Sequence, residues 1–494
     1  MLKYLDEDDF KKLQILYYLE NHHLSTVLFD DLIEELHLNN YQVKKLLSEI
    51  QAEIKSWKLK NYYLIDLQTQ KSFVRYERRT QGNIMLLLNH YVKRSQMQAL
   101  IRAIFTEEVN KIAELEDIVF LSKSATYKLV KKFTDLTKEY DVTIDKNMRF
   151  AGDEWKIREF LYNFYHTLYG DLYKSFSEDV ATDLEQMIKA LEEIEGLFIQ
   201  GLSLTDRTKL LYRLFVIYTR NYLGNKASAQ DFMKIDSRFI EPIAQILRHY
   251  LDGSNEEILE ETYELLYFLS SESITAHCDF QIPTNVRELT LAFTESFNAK
   301  FKAHQNELNQ EEVQVELNNI HLRLLVSLRA NFDVSSLNDF NFMGENYEDI
   351  ELFCNNFADK MLLDTRYAAL FQEKHQALVR EYMFLILCHT TAYRTRRPVK
   401  ICVDFSYGIS YNRYILENIK SLGFLNIEAS EGKNKEDIDI YLSNLPSREV
   451  EAEQIIWASP PTSYDWEFFG NTVVKVKKDN FNASCFFLFF FKIK

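Results

Sequence analysis

Apolar positions recur every three to four residues through most of the chain, a spacing that predicts amphipathic helices up to about residue 395. Helices are predicted near 7–21, 28–37 and 40–56. The period then drops to two: Tyr62-Tyr-Leu-Ile-Asp-Leu and Lys71-Ser-Phe-Val-Arg-Tyr76 alternate around a polar turn, as a two-stranded wing would. Ser95 stands as an N-cap before Met97, Leu100, Ile101, Ile104 and Phe105 on one helical face, and Val142 to Gly152 again reads as strand, turn and strand. From about 155 to 395 the pattern predicts long helices with acidic outer faces, among them Leu184–Leu197, Glu256–Ser270 and Asn306–Leu328. Pro283 marks a seam within this region. At Thr395-Arg-Arg-Pro398 the pattern changes. Strands at Val399–Phe405, Leu425–Glu428, Ile438–Leu442 and Gln454–Ala458, with a helix over Asn412–Leu422, predict a small parallel α/β domain.

One helical pattern occurs twice, 83 residues apart. Asp31-Leu-Ile-Glu-Glu-Leu-His-Leu-Asn39 followed by Asn40 to Ile50 aligns with Glu114-Leu-Glu-Asp-Ile-Val-Phe-Leu-Ser122 followed by Lys123 to Phe133. Leu32 falls on Leu115, Leu36 on Val119, Leu38 on Leu121, the capping Asn39 on Ser122, Lys45 on Lys128, Leu46 on Leu129 and Ile50 on Phe133. Two apolar helices joined by a short turn, the second capped by a small polar residue, form a helix-turn-helix. Such a unit presents the first turns of its second helix to base edges and its flanking lysines to phosphates. In the first copy Asn40, Tyr41 and Gln42 are expected toward bases, with Lys44 and Lys45 toward the backbone. In the second, Ser124, Thr126 and Tyr127 are expected toward bases or sugars, with Lys123, Lys128, Lys131 and Lys132 toward the backbone.

Charge sharpens this picture. The net charge of −16 would argue against nucleic acid, yet the first 160 residues hold 25 basic and 25 acidic side chains, so the entire excess lies behind them. Residues 41–132 carry 17 basic against 9 acidic side chains, a local surplus suited to displacing counterions from phosphate. The five cysteines, Cys278, Cys354, Cys388, Cys402 and Cys485, have neither Cys-x-x-Cys nor Cys/His ligand spacing; neither zinc nor a disulfide framework is expected, in keeping with the cytoplasm. The acidic N-terminus has no apolar core of signal-peptide length. Phe486-Phe-Leu-Phe-Phe-Phe491, far too short to span a bilayer, reads as a buried or aberrant terminal strand. No phosphate loop, nucleophile elbow or metalloprotease motif is present, so neither an enzymatic activity nor a cofactor is expected.

The stretch Phe150-Ala-Gly152-Asp-Glu154-Trp-Lys-Ile-Arg158-Glu-Phe-Leu-Tyr-Asn-Phe-Tyr165 resembles the wing exit of Mga-type transcriptional regulators. The resemblance extends to the layout of nearly the whole chain. It implies a mainly α, multidomain fold: winged helix-turn-helix domains over 1–78 and 79–165, two helical bundles similar to phosphotransferase-system regulation domains over 166–284 and 285–396, and an α/β domain resembling a phosphotransferase IIB component over 397–494. It also implies an activator in a Gram-positive bacterium that binds double-stranded promoter DNA as a homodimer or higher oligomer, with RNA polymerase and phosphotransferase phosphocarrier proteins as partners and no membrane association. The bundle motif places His321 at the position modified by phosphoryl transfer and Tyr212 at the equivalent position of the first bundle; His249, His277 and His375 are secondary candidates. In the IIB-like domain the nucleophile position is Phe405, beside Gly408, and a phenyl ring cannot attack phosphorus. Cys402 falls inside a strand and is expected to be buried. The competing reading is an RNA-binding antiterminator with the same regulation domains, although those RNA-binding modules are short β structures and this N-terminus is helical.

Overall fold

The computed structural model describes the chain apart from residues 1–3, 22–25, 69–71, 80–81, 83, 139–140, 169–176, 199–200, 235–236, 276–281, 327–340, 393–396, 423–424, 433–436, 458–459 and 492–494. His277 therefore lies outside the described residues. The fold is mainly helical, as the apolar periodicity predicts, and it divides into two compact units, Met1–Arg287 with Asn318–Asn338, and Glu288–Leu317 with Asp339–Lys494.

The first unit opens with α1 (Glu7–Asn21), β1 (Thr26–Leu28), α2 (Phe29–Leu36), α3 (Asn40–Ser56), β2 (Tyr63–Gln68) and β3 (Phe73–Arg78). The strands form an antiparallel sheet in the order β1-β3-β2, with Ile65 opposite Tyr76 and Leu67 opposite Val74. The period-two pattern is met: Tyr63, Ile65, Val74 and Tyr76 point into the core and their neighbours outward. The three-residue β1 adds an edge that the sequence pattern is too short to reveal.

The second repeat follows as α4 (Ile84–Arg94), α5 (Gln96–Phe105), α6 (Ile112–Val119), α7 (Lys123–Thr137), β4 (Thr143–Ile144), β5 (Phe150–Ala151) and α8 (Glu154–Leu168). The Ser95 hydroxyl caps α5, accepting from the Gln98 amide at 3.1 Å. The wing β4-β5 turns on Asp145, whose carboxylate accepts from the Asn147 and Arg149 amides at 2.8 and 2.9 Å. Gly152 ends it at φ +141, where an added Cβ would lie 2.4 Å from the Asp141 carbonyl oxygen; only glycine fits.

Helices α9 (Glu178–Glu192), α10 (Leu204–Tyr222), α11 (Ile240–Tyr250) and α12 (Asn255–Ser271) complete the main part of this unit. Ser254 and Glu257 form a reciprocal capping box at the start of α12. Next come α13 (Thr284–Lys300), which begins directly after Pro283, and α14 (Glu311–Val326). The long helix expected from Asn306 starts only at Glu311. Asn306 adopts φ +72, and residues before Glu311 form two single 3₁₀ turns around the buried Leu308.

In the second unit, α15 (Asn341–Leu362), kinked at Tyr347, packs with α16 (Ala368–His389) around an aromatic core of Phe293, Phe297, Phe353, Phe357 and Tyr382. The α/β part contains β6 (Val399–Val403), α17 (Ile409–Ser421), β7 (Ile427–Glu431), β8 (Ile440–Ser443), β9 (Glu453–Ile456) and α18 (Ser463–Phe491). Its strands are all parallel in the order β7-β6-β8-β9. Cys402 is buried in β6, and the Phe405 ring is buried against Tyr411 and Trp457 at 5.2 and 6.1 Å. The Phe-rich terminus corrects the strand reading: Phe486 to Phe491 is helical backbone, continuing α18, because after Gly470 the run holds neither glycine nor proline to stop it.

Candidate nucleic-acid interface

The two repeats converge on one local geometry. Helices α2 and α6 are both eight residues long and both end on a left-handed residue, His37 (φ 51, ψ 37) and Phe120 (φ 54, ψ 42). That residue reverses the chain so that the second helix starts three residues later. Leu32 and Leu115 are fully buried at the equivalent place on the first helix, and Ile50 and Phe133 on the second. In the first copy the Asn39 side chain accepts from the Gln42 amide at 2.9 Å and Gln42 accepts from the Asn39 amide at 3.0 Å, a capping box worth about 1 kcal/mol. In the second copy Ser122 occupies the N-cap position without a side-chain hydrogen bond.

Asn40 and Tyr41 are exposed at the start of α3, while Gln42 is half-buried and holds the cap. Lys44 is half-buried, and Lys45 is ion-paired to Asp8 at 2.8 Å, an attachment that holds the Asp8 carboxyl below its ordinary range. On α7, Lys123, Ser124, Tyr127, Lys128, Lys131 and Lys132 are exposed. Lys123, Lys128 and Lys131 form no ion pair among the described residues, so their charge is open to an anionic partner.

Thr126 departs from the expected arrangement. It is fully buried, its hydroxyl donating to the Ser122 carbonyl at 3.1 Å, so in this conformation it faces the core and not a duplex. The signal was present in the repeat alignment, where Thr126 falls on Val43, itself fully buried. Sequence reasoning also passed over two exposed side chains beside the reading helix. Phe120 stands in the turn with 91% of its surface exposed, and Lys146 is exposed at the tip of the wing β4-β5.

Behind α7, the wing exit enters a buried ionic network. The Arg158 guanidinium on α8 is fully buried and pairs with both carboxylate oxygens of Glu261 on α12, donates to Glu264 at 3.1 Å and Glu154 at 3.0 Å, and reaches the Asn225 carbonyl at 2.9 Å. Arg213 on α10 joins Glu159 and Glu264, each at 2.6 Å, and Arg220 forks onto Glu154 at 2.9 and 2.7 Å. Burial alone would depress Arg158, but Glu261 and Glu264 outweigh it and raise the group well above its ordinary value. Burial raises the Glu264 and Glu159 carboxyls, against the opposing pull of their arginines. Glu107, between α5 and α6, ties the wing to the same region through Arg149 at 2.7 Å and Asn225 at 3.3 Å.

The histidines occupy contrasting places. His321 is fully buried on α14, and burial pushes its imidazole down to about 3. Tyr212 is buried on α10, edge-on to His166 at 5.6 Å. His249 is exposed at the end of α11, and the partly exposed His375 meets Asp359 at 3.1 Å.

Among the described residues, no helix is long and apolar enough to cross a membrane. Comparison with the curated proteins found no match. Residues 81–165, which contain the second repeat, its wing and the start of the ionic network, match the Mga helix-turn-helix domain. The chain therefore carries a Mga helix-turn-helix domain, which supports a DNA-binding transcriptional regulator.

Proposed function

We propose that this protein is a cytoplasmic activator that grips promoter DNA with both winged helix-turn-helix units, the second supplying most of the affinity, and that it works as a homodimer or higher oligomer with RNA polymerase. The observation that carries this reading is the trio of unpaired, exposed lysines on α7, against the Asp8-bound Lys45 on α3. The helical bundles serve as phosphotransferase-type regulation domains and the α/β part as a IIB-like domain without its nucleophile, and no enzymatic step is assigned. In the described conformation a phosphocarrier reaches His249 and His375; His321 becomes reachable only after α14 moves.

The ionic network supports a specific route for control. Glu154, Arg158 and Glu159 belong to the exit helix of the second winged unit, and their partners Arg213, Arg220, Glu261 and Glu264 belong to the adjoining bundle. A change in α10 or α12 is therefore felt directly by the scaffold of α7. The test is binding of the full chain to duplex DNA over a series of salt concentrations. Affinity should fall linearly on logarithmic axes with salt, by close to one order per order of salt for each phosphate contacted. The reading is refuted by absent duplex binding, or by stronger binding to a hairpin RNA, which would favour the antiterminator.

A further inference from the structure

We propose that Phe120 is a DNA-contacting residue, its ring lying on the deoxyribose or thymine-methyl face at the edge of the groove that α7 enters. This rests on the DNA-binding reading of the second repeat and adds to it an apolar contact that lysines and hydroxyls do not provide.

Two costs are concentrated at this position. A side chain with a Cβ in the left-handed region gives up about 1–2 kcal/mol relative to the right-handed one, and glycine or asparagine would relieve it. Phe120 adopts that conformation, and it is also the most exposed of the large apolar side chains among the described residues, at 91%. The turn itself needs only the backbone geometry. The first repeat has a flat ring at the same place in the same conformation, the exposed His37.

Position supplies the partner. Three peptide links separate Phe120 from Lys123, so their Cα atoms lie within about 11 Å, and the ring reaches the surface that Lys123 and Ser124 touch. Its chain neighbours offer no exposed apolar side chain: Val119 is buried, Leu121 half-buried, and Ser122, Lys123 and Ser124 are exposed polar groups. A protein-binding hot spot is built as a contiguous apolar centre with a polar rim. A single ring set among cations and hydroxyls instead matches duplex DNA, where apolar sugar faces and thymine methyls alternate with phosphates.

The experiment compares full-length wild type with Phe120→Asn and Phe120→Gly, both at home in the left-handed region, and with Phe120→Tyr. Affinity is measured on a short AT-rich duplex across salt, and on the same duplex with deoxyuridine replacing thymidine. The Asn and Gly variants are expected to melt no lower than wild type, to bind about tenfold more weakly and to keep the wild-type salt slope, since no charge is lost; the Tyr variant should bind as wild type. If the deoxyuridine duplex weakens wild type but not Phe120→Asn, the contact is to the methyl; if it weakens both alike, the contact is to the sugar. Unchanged affinity in the Asn and Gly variants overturns the proposal, and unchanged affinity with reduced promoter activation reassigns Phe120 to a protein partner. A wild type that binds no duplex overturns the DNA reading together with this inference.

Discussion

Replacing Arg158 with methionine removes the cation at the centre of the buried network while keeping most of its volume. Glu154 retains Arg220 and Glu264 retains Arg213, but Glu261 keeps only Asn221 at 3.3 Å and the Ala227 amide at 3.2 Å. A fully buried carboxylate is thereby left without a cation. Breaking a buried pair by deleting one partner costs about 3–5 kcal/mol, because the remaining charge must stay desolvated or take up a proton. Adding Glu261→Gln should recover much of that loss, since the amide demands no counter-charge. Urea unfolding of the full chain, combined with peptide-level hydrogen exchange over α8, α10 and α12, reads both stability and location, which matters in a chain of two units that need not unfold together. A loss below about 1 kcal/mol at neutral pH, or no recovery in the double variant, would refute the claim that the network is held together by compensation of buried charge.

Four further outcomes follow from individual positions. Lys131→Ala should weaken binding to all duplex sequences alike and lower the salt slope by about 1, whereas Thr126→Val, at a buried site, should leave base preference unchanged in a binding-site selection; a shifted preference would place Thr126 on the DNA side after all. Gly152→Ala should destabilise the second winged unit by at least about 1–3 kcal/mol, because φ +141 is strained for alanine and its Cβ would press on the Asp141 carbonyl; an unchanged melting temperature would contradict this. His321, pushed down to about 3 by burial, binds its proton more readily when unfolded, so it stabilises the fold above its ordinary value near 6.5 and loses that contribution as pH falls toward 3. Imidazole NMR should show no titration of His321 between pH 5 and 8, and a midpoint inside that range would mean that α14 opens.

The winged units were legible because local rules suffice there. Period-two alternation at Tyr63, Ile65, Val74 and Tyr76 and the caps at Asn39 and Ser95 are short-range signals, and the structure follows them closely. The exposure of the proposed reading helix was legible only in part. Lys123, Lys128 and Lys131 are exposed, whereas Thr126, expected toward bases or sugars, is buried like Val43 at the same place in the first copy. The availability of Lys45 was not legible, because its partner Asp8 is 37 residues away in sequence and meets it only through the packing of α1 on α3. The terminal Phe run misled because an apolar segment of that length fits a strand or a helix equally; continuity from Ser463 decided it.

The ionic network was the least legible feature, and the reason bears on how α8 is held. Only Glu154 and Arg158, four residues apart, have a sequence signature, and on a helix surface such a pair is ordinarily a weak solvated contact. Its other members are separated by 51 to 106 residues and become a network only when α8 is enclosed by α10 and α12. Three guanidinium groups then face four carboxylates, with burial raising two of those carboxyls. An apolar seam of the same area would hold α8 to the bundle without specifying a register. Charge pairs at fixed distances tolerate few alternative packings, so a shift of α10 or α12 must either carry α8 with it or expose uncompensated charge. Under the proposed DNA-binding reading, the exit helix would act as a lever through which the bundle shifts α7 without itself contacting DNA.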